Sequence, residues 1–316
     1  MSTHINSTLA FVFPGQGSQS VGMLSGLATR FPEVRTCFDE ASSVLGIDLW
    51  GMTQEGPEAD LSRTVNTQPA MLAAGVAVWR VWLAQCGARP AFMAGHSLGE
   101  YTALVCAGAL SYKDAVRLVA LRGRLMQDAV PEGQGAMSAI LGMSDDDVRQ
   151  LCRDAAVGEV LEAVNFNSPG QVVIAGNRAA VERANALATE RGAKRALPLP
   201  VSVPSHCALM KGAAERLREE LSSVEFTMPE IPVFHNVDAK PADDVAAVRE
   251  ALYHQLYGAV RWVATVQNIR EAGGATVIEA GPGKVLAGLC KRIDKSLNCI
   301  PVFDENSLDK AMTALA

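Results

Sequence analysis

The sequence has no excess of basic residues: 28 Lys and Arg stand against 34 Asp and Glu, a formal net charge of -6. Broad nucleic-acid binding needs a surface that neutralises phosphates, so that class is disfavoured. A local basic patch for a small acidic partner stays open. CxxC pairs are missing as well. The seven cysteines (Cys37, Cys86, Cys106, Cys152, Cys207, Cys290 and Cys299) are scattered, and their odd number leaves one over in any full disulfide scheme. Reduced thiols in a cytoplasmic protein are the expectation. No basic segment followed by an apolar one opens the chain, so a secretory signal is not expected. The longest apolar-rich stretch, 70–86, is interrupted by Arg80 and Gln85, which marks a buried helix and not a membrane span. Gly15-Gln16-Gly17-Ser18-Gln19 lacks both the Lys of a P-loop and the spacing of a dinucleotide site, and Gly281-Pro282-Gly283-Lys284 also fails the P-loop pattern. No repeat or low-complexity tract is present.

What is present is a chain of 316 residues, 49% hydrophobic, enough for one large core or a core with a smaller domain. Short apolar runs at 9–13, 91–95 and 276–280 read as buried parallel strands, with a further strand at 231–237 ending at Asn236. Helical patterns cover 68–83, 98–107 and 112–127, the last with Ser111 at its N-cap, then 208–221, 243–256 and a helix from about Lys284. Between them the texture changes. Segments 136–141, 145–155, 160–166, 171–176, 179–191 and 194–199 follow a strand, helix, strand, strand, helix, strand order, with Asn167-Ser168-Pro169-Gly170 as the central turn. That is the order of a ferredoxin-like unit. The expected fold is α/β: a large domain with a parallel sheet (1–132 and 204–316) and an inserted ferredoxin-like subdomain (133–203).

The strongest chemical signal is Gly95-His96-Ser97-Leu98-Gly99, between an apolar strand and a helix. A strand that turns this sharply into a helix lifts the central serine above the sheet edge. The helix N-terminus beside it offers free N–H groups to a developing oxyanion. A chance GxSxG in a glycine-rich chain is the structural alternative, weakened by the flanking elements. A serine needs a base. Of the five histidines, His4 lies near the terminus and His96 should point away from Ser97. His235 reads as a core residue and His254 as a helix-surface one, while His206 follows Val203-Pro204-Ser205 where the chain returns from the insert. The residues alone do not separate His206 from the rest, and no acid between Ser97 and His206 holds a distinctive position, so a Ser-His dyad stays open. In Leu121-Arg122-Gly123-Arg124 one arginine is expected to face inward. A buried guanidinium demands an anion, either a ligand carboxylate or a structural Asp or Glu.

Read together, the motifs carry a resemblance. Phe13-Pro14-Gly15-Gln16-Gly17-Ser18-Gln19, Asn66-Thr67-Gln68-Pro69-Ala70, Gly95-His96-Ser97-Leu98-Gly99-Glu100-Tyr101, Arg122-Gly123, Phe166-Asn167-Ser168-Pro169-Gly170-Gln171, Pro204-Ser205-His206, Gln255-Leu256-Tyr257 and Glu279-Ala280-Gly281-Pro282-Gly283-Lys284 occur in one order over about residues 9 to 303. The chain resembles the bacterial malonyl-CoA:acyl carrier protein transacylase family, among the acyltransferases of fatty-acid and polyketide synthesis. The resemblance implies an α/β-hydrolase-like domain with the ferredoxin-like insert. It also implies malonyl transfer from malonyl-CoA to the phosphopantetheine thiol of holo-acyl carrier protein, for fatty-acid biosynthesis. It makes Ser97 the carrier of the malonyl ester and His206 the base, oriented by the backbone carbonyl of Gln255. Arg122 becomes the partner of the malonyl carboxylate, Gln16 and Leu98 the backbone oxyanion hole, and Gln68 and Asn167 substrate-side residues. No bound cofactor or metal is implied. The expected partner is a transient carrier protein met by Lys284, Lys291 and Arg292, although an ordinary solvated helix face explains those three equally well. A monomer is expected. Competing readings are a serine esterase or thioesterase, and a carrier-docking protein without catalysis.

Overall fold

The computed structural model describes residues 5–85, 88–201 and 203–315, so His4 and Cys86 lie outside it. Its strands are β1 (Ile5–Phe13), β2 (Arg89–Gly95), β3 (Gly135–Leu141), β4 (Leu161–Ser168), β5 (Gln171–Asn177), β6 (Arg195–Pro198), β7 (Val233–Phe234), β8 (Thr276–Ala280) and β9 (Asn298–Val302). They form two sheets, ordered β7-β2-β1-β8-β9 and β4-β5-β3-β6.

The first sheet is parallel at every pairing. Its centre is β1, whose residues from Leu9 to Phe13 are all buried. Burial on both faces explains why the run is continuously apolar and does not alternate. The helix Thr64–Gln85 covers one face and is itself buried along most of its length. There Phe11 meets Trp79 and Trp82 edge-on, each at 5.1 Å, a geometry that adds to simple area burial. On the other face Trp262, Val266 and Ile269 of the helix Trp262–Glu271 pack with Ala10, Val12 and Val277. Helices on both faces of a parallel sheet leave its C-terminal edge as the place for chemistry.

The second sheet is antiparallel throughout. Its order is that of a ferredoxin-like unit, with the helices Asp145–Ala156 and Arg178–Glu190 sharing a separate core with Ile140, Val172 and Ile174. Gly170, at φ +74°, makes the tight β4–β5 turn that a side chain would strain. The fold is thus a large α/β domain carrying a small inserted subdomain. The two are joined by backbone as well as by chain: Phe166 N–H donates to the Val260 carbonyl (3.0 Å) and Val260 N–H to Val164 (2.8 Å).

Some boundaries differ from expectation. The strand expected over 231–237 is only Val233–Phe234, because the chain turns back beyond it: Ala239 N–H donates to the His235 carbonyl at 2.9 Å. The helix expected from 208 begins as a 3-10 turn, Ala208–Met210, and becomes α-helical over Lys211–Ser223. The pattern also gave no sign of the helices Pro32–Leu45, Leu49–Glu55 and Glu305–Leu315 or of the edge strand β9. Pro301 sits in β9, and an edge is where a sheet tolerates a residue without an N–H.

Candidate active site

The turn between β2 and the helix Gly99–Cys106 holds Ser97 at φ +52°, a left-handed conformation that costs a non-glycine residue free energy. The flanking glycines make it possible. A Cβ on Gly95 would run into the Gly99 backbone, and one on Gly99 would run into the Phe13 carbonyl. The elbow therefore packs backbone against backbone at the C-terminal edge of the sheet. Asn236 fastens it: its Oδ1 accepts the Ser97 N–H (2.7 Å) and its Nδ2 donates to the Gly95 carbonyl (2.6 Å).

His206 reaches Ser97 across 109 residues of sequence, with Nε2 2.8 Å from Oγ. It lies in a turn at φ +66° and is 2% exposed. Its Nδ1 is 2.8 Å from the Gln255 carbonyl oxygen. A carbonyl can only accept, so Nδ1 carries the proton and Nε2 presents its lone pair to the serine hydroxyl. Burial, and after it the charge of Arg122, push the imidazole down to about 3, so at neutral pH it rests uncharged. Among the described residues no carboxylate bonds to His206.

Arg122 is the inward arginine of its pair and is 1% exposed. Its Nη1 donates to Gln68 Oε1 (2.9 Å), and its Nη2 donates to Gln255 Oε1 (3.0 Å) and Ser97 Oγ (3.2 Å). All three acceptors are neutral, and Nε has no hydrogen-bond partner among the described residues. The guanidinium stacks 5.6 Å above the Tyr101 ring centroid. No salt bridge reaches it among the described residues, so an acid acts on it only at longer range, through the charge of Glu100. Burial lowers its pKa, opposed by Tyr101 and Glu100, but a guanidinium stays charged. The charge is held by amides and faces the nucleophile.

Gln16, Gln68, Leu98 and Arg122 line a cavity of about 100 Å³ with Ser97 and His206. Through Gln16, His96, Asn165 and Leu199 it continues into a cleft of about 760 Å³ beneath the small subdomain. The amides of Gln16 and Leu98 donate to no other protein group among the described residues, which leaves both for a ligand. Asn167 stands further out. Its Oδ1 is 2.8 Å from His96 Nε2, so it orients His96 at the cleft wall and does not touch Ser97. The other histidines are elsewhere: His235 is buried against Glu100, and His254 is exposed on its helix beside Tyr257. Of the basic residues expected at the rim, Lys291 is engaged with the carbonyls of Lys295 and Leu297 (2.7 and 2.9 Å). Arg292 donates to Gln171 (2.8 Å), a residue of the cleft lining, while Lys284 is exposed at the start of the helix Val285–Ile293.

Sequence reading missed Asn236, Glu100 and the side chain of Gln255. Glu100 is fully buried in the first turn of the helix that leaves the elbow, and Gln255 Nε2 donates both to it (3.1 Å) and to the Ser97 carbonyl (2.8 Å). Glu100 stands in the elbow motif and Asn236 at the strand end, but nothing local signals a buried carboxylate or its partners. Among the described residues no cluster of His, Cys, Asp or Glu could hold a metal ion, and no helix is long and apolar enough to cross a membrane.

Fold and site together define an acyl transferase, and the pattern of the Acyl transferase domain family matches residues 10–306. The chain is 57% identical to the malonyl CoA-acyl carrier protein transacylase of Salmonella typhimurium over 96% of its own length and 98% of the relative's. An acyl carrier protein S-malonyltransferase from Vibrio cholerae superposes with a TM-score of 0.94 at 57% identity, over 96% of this chain and 100% of that one. A malonyl-transacylase solved in complex with a type II PKS acyl-carrier protein superposes with a TM-score of 0.96 at 56% identity, over 98% and 100%. The chain belongs to the malonyl CoA-acyl carrier protein transacylase family.

Proposed function

We propose that this chain moves a malonyl group from malonyl-CoA to the phosphopantetheine thiol of holo-acyl carrier protein, through an ester on Ser97. The observation that carries the reading is one oxygen, Ser97 Oγ, held between a neutral imidazole at 2.8 Å and, at 3.2 Å, a guanidinium that has no carboxylate partner among the described residues. His206 Nε2 takes the hydroxyl proton as Oγ attacks the thioester carbon, and the N–H groups of Gln16 and Leu98 receive the oxyanion. Collapse breaks the C–S bond, and CoA leaves as a thiol with the proton from His206. In the second half, the carrier thiol gives its proton to His206 and attacks the ester, and Ser97 departs with that proton. Gln255 holds the imidazole tautomer through its carbonyl throughout.

Arg122 selects the cargo. A malonyl carboxylate supplies the negative partner that Gln68, Gln255 and Ser97 do not, whereas an acetyl group leaves the charge without one. One chain supplies every group of the site, so a monomer suffices, with the insert spanning 133–203. The reaction belongs to the cytoplasm, where both thioester substrates are handled in fatty-acid synthesis. The carrier docks at the cleft mouth, met by Lys284 and Arg292. Arg292 is oriented there by Gln171, and Lys291 contributes less because its ammonium is engaged. The test is intact-protein mass spectrometry after malonyl-CoA, followed by holo-carrier protein. One malonyl adduct forms and then passes to the carrier, and Ser97→Ala forms none. Release of free malonate with the carrier left unloaded would refute the transferase reading.

A further inference from the structure

We infer that Glu100 is a positioning residue that aims Ser97, His206 and Arg122 together, acting through Asn236 and Gln255; the inference rests on the transfer reading above. Three donors converge on this carboxylate, which is 0% exposed: His235 Nδ1 on Oε1 at 2.7 Å, and the Asn236 N–H (2.9 Å) and Gln255 Nε2 (3.1 Å) on Oε2. Burial disfavours charge on His235, but the Glu100 carboxylate outweighs this and holds the imidazole above its ordinary value.

The other two donors lead directly into the site. Asn236, fixed by its backbone N–H, turns its side chain onto the Ser97 N–H and the Gly95 carbonyl, and so holds the left-handed elbow on one side. Gln255 divides its Nε2 protons between Glu100 and the Ser97 carbonyl, which holds the elbow on the other. That same amide orientation points Oε1 at Arg122 Nη2, while the residue's backbone carbonyl holds His206 Nδ1. If the amide turned over, it would present an NH2 group to a guanidinium, donor against donor. A carboxylate accepts only, so Glu100 permits one orientation of Gln255. Through that choice it sets the face of Arg122 that meets the cargo. A residue needed only for folding would have no influence on which acyl group is preferred.

The experiment compares transfer of malonyl and acetyl groups to holo-carrier protein by the wild type and three variants. Glu100→Met keeps the volume and removes every acceptor. It is expected to slow malonyl transfer by about a hundredfold, the scale of a small misplacement of reacting groups, and to reduce the malonyl-over-acetyl preference by roughly tenfold. Glu100→Asp keeps the charge but is one methylene too short to reach all three donors, and loses preference in the same direction. Glu100→Gln keeps the reach: its oxygen can serve Asn236 and Gln255 while its NH2 faces a His235 of the other tautomer. It is expected to recover at least about tenfold of the rate lost in Glu100→Met. A folded Glu100→Met enzyme with the wild-type preference overturns the inference. Should Glu100→Met not fold, a wild-type preference in Glu100→Asp overturns it. A wild type that transfers no malonyl group refutes the transfer reading as well, whereas normal wild-type transfer beside an unchanged preference in the variants refutes this inference alone.

Discussion

Replacing Arg122 with alanine separates cargo selection from catalysis more cleanly than any other change in the site. The guanidinium is fully buried, so its bonds to a malonyl carboxylate form out of water, and bonds to charged groups contribute about 1.5–3 kcal/mol each. Two such bonds amount to about 3–6 kcal/mol, or roughly a hundredfold to ten-thousandfold in kcat/KM. Acetyl transfer makes neither bond. The variant also strands the oxygens of Gln68 and Gln255 that now accept from Arg122, which lowers stability, but that loss is common to both acyl groups and cancels in their ratio. The assay is competition between malonyl-CoA and acetyl-CoA for holo-carrier protein, with both products weighed in one spectrum. The ratio should fall by at least about a hundredfold, mostly through lost malonyl transfer. Equal losses for the two groups would mean that Arg122 serves the nucleophile and not the cargo, and the reasoning fails.

Two further outcomes follow from the geometry. Gly99→Ala places a methyl group into the Phe13 carbonyl, with backbone on both sides of the clash, so the loss should reach about 3 kcal/mol or more; a urea midpoint equal to wild type would show that the elbow can open. His206 titrates near 3 when folded against an ordinary value of 6.5, so as the pH falls below about 6.5 the unfolded chain takes up a proton that the folded chain refuses. Its contribution to stability is therefore level above that pH and declines down to about 3. Between pH 7.5 and 5 the wild type should lose about 2 kcal/mol more than His206→Gln in urea unfolding, and equal losses would place the imidazole in contact with solvent.

How much of this was legible depended on how local the signal was. The elbow shows in five consecutive residues because the close approach of Gly95 and Gly99 to backbone leaves room for nothing else. The central strands show because burial on both faces demands unbroken apolar runs, as at β1. His206 did not stand out from the residues alone. It comes from a turn far along the chain, and its partner is the carbonyl of Gln255, an atom every residue possesses. Arg122 and Arg124 could not be told apart until the helix phase was known. Family resemblance joined these residues, and the structure brings them within hydrogen-bonding distance. Glu100 stands in a motif of the resemblance, but neither route gave it a role, since a buried carboxylate whose partners are a histidine, a peptide N–H and an amide leaves no pattern of alternating charge. The edge strand β9 and the short helix Leu49–Glu55 went unread for a simpler reason: five residues of strand or seven of helix give periodicity too little length to register.

The buried cation of Arg122 has one more consequence, thermodynamic and not kinetic. An empty molecule folds around a positive charge solvated by amides and a hydroxyl, with the guanidinium Nε lacking a partner among the described residues. On the proposed pairing of Arg122 with the malonyl carboxylate, a loaded molecule folds around a neutral pair. Whatever free energy that pair supplies must be surrendered on unfolding, so the esterified chain is the sturdier of the two. Each turnover then alternates between a tighter and a looser form of one fold, and a melting curve taken during the reaction reports how many molecules carry cargo.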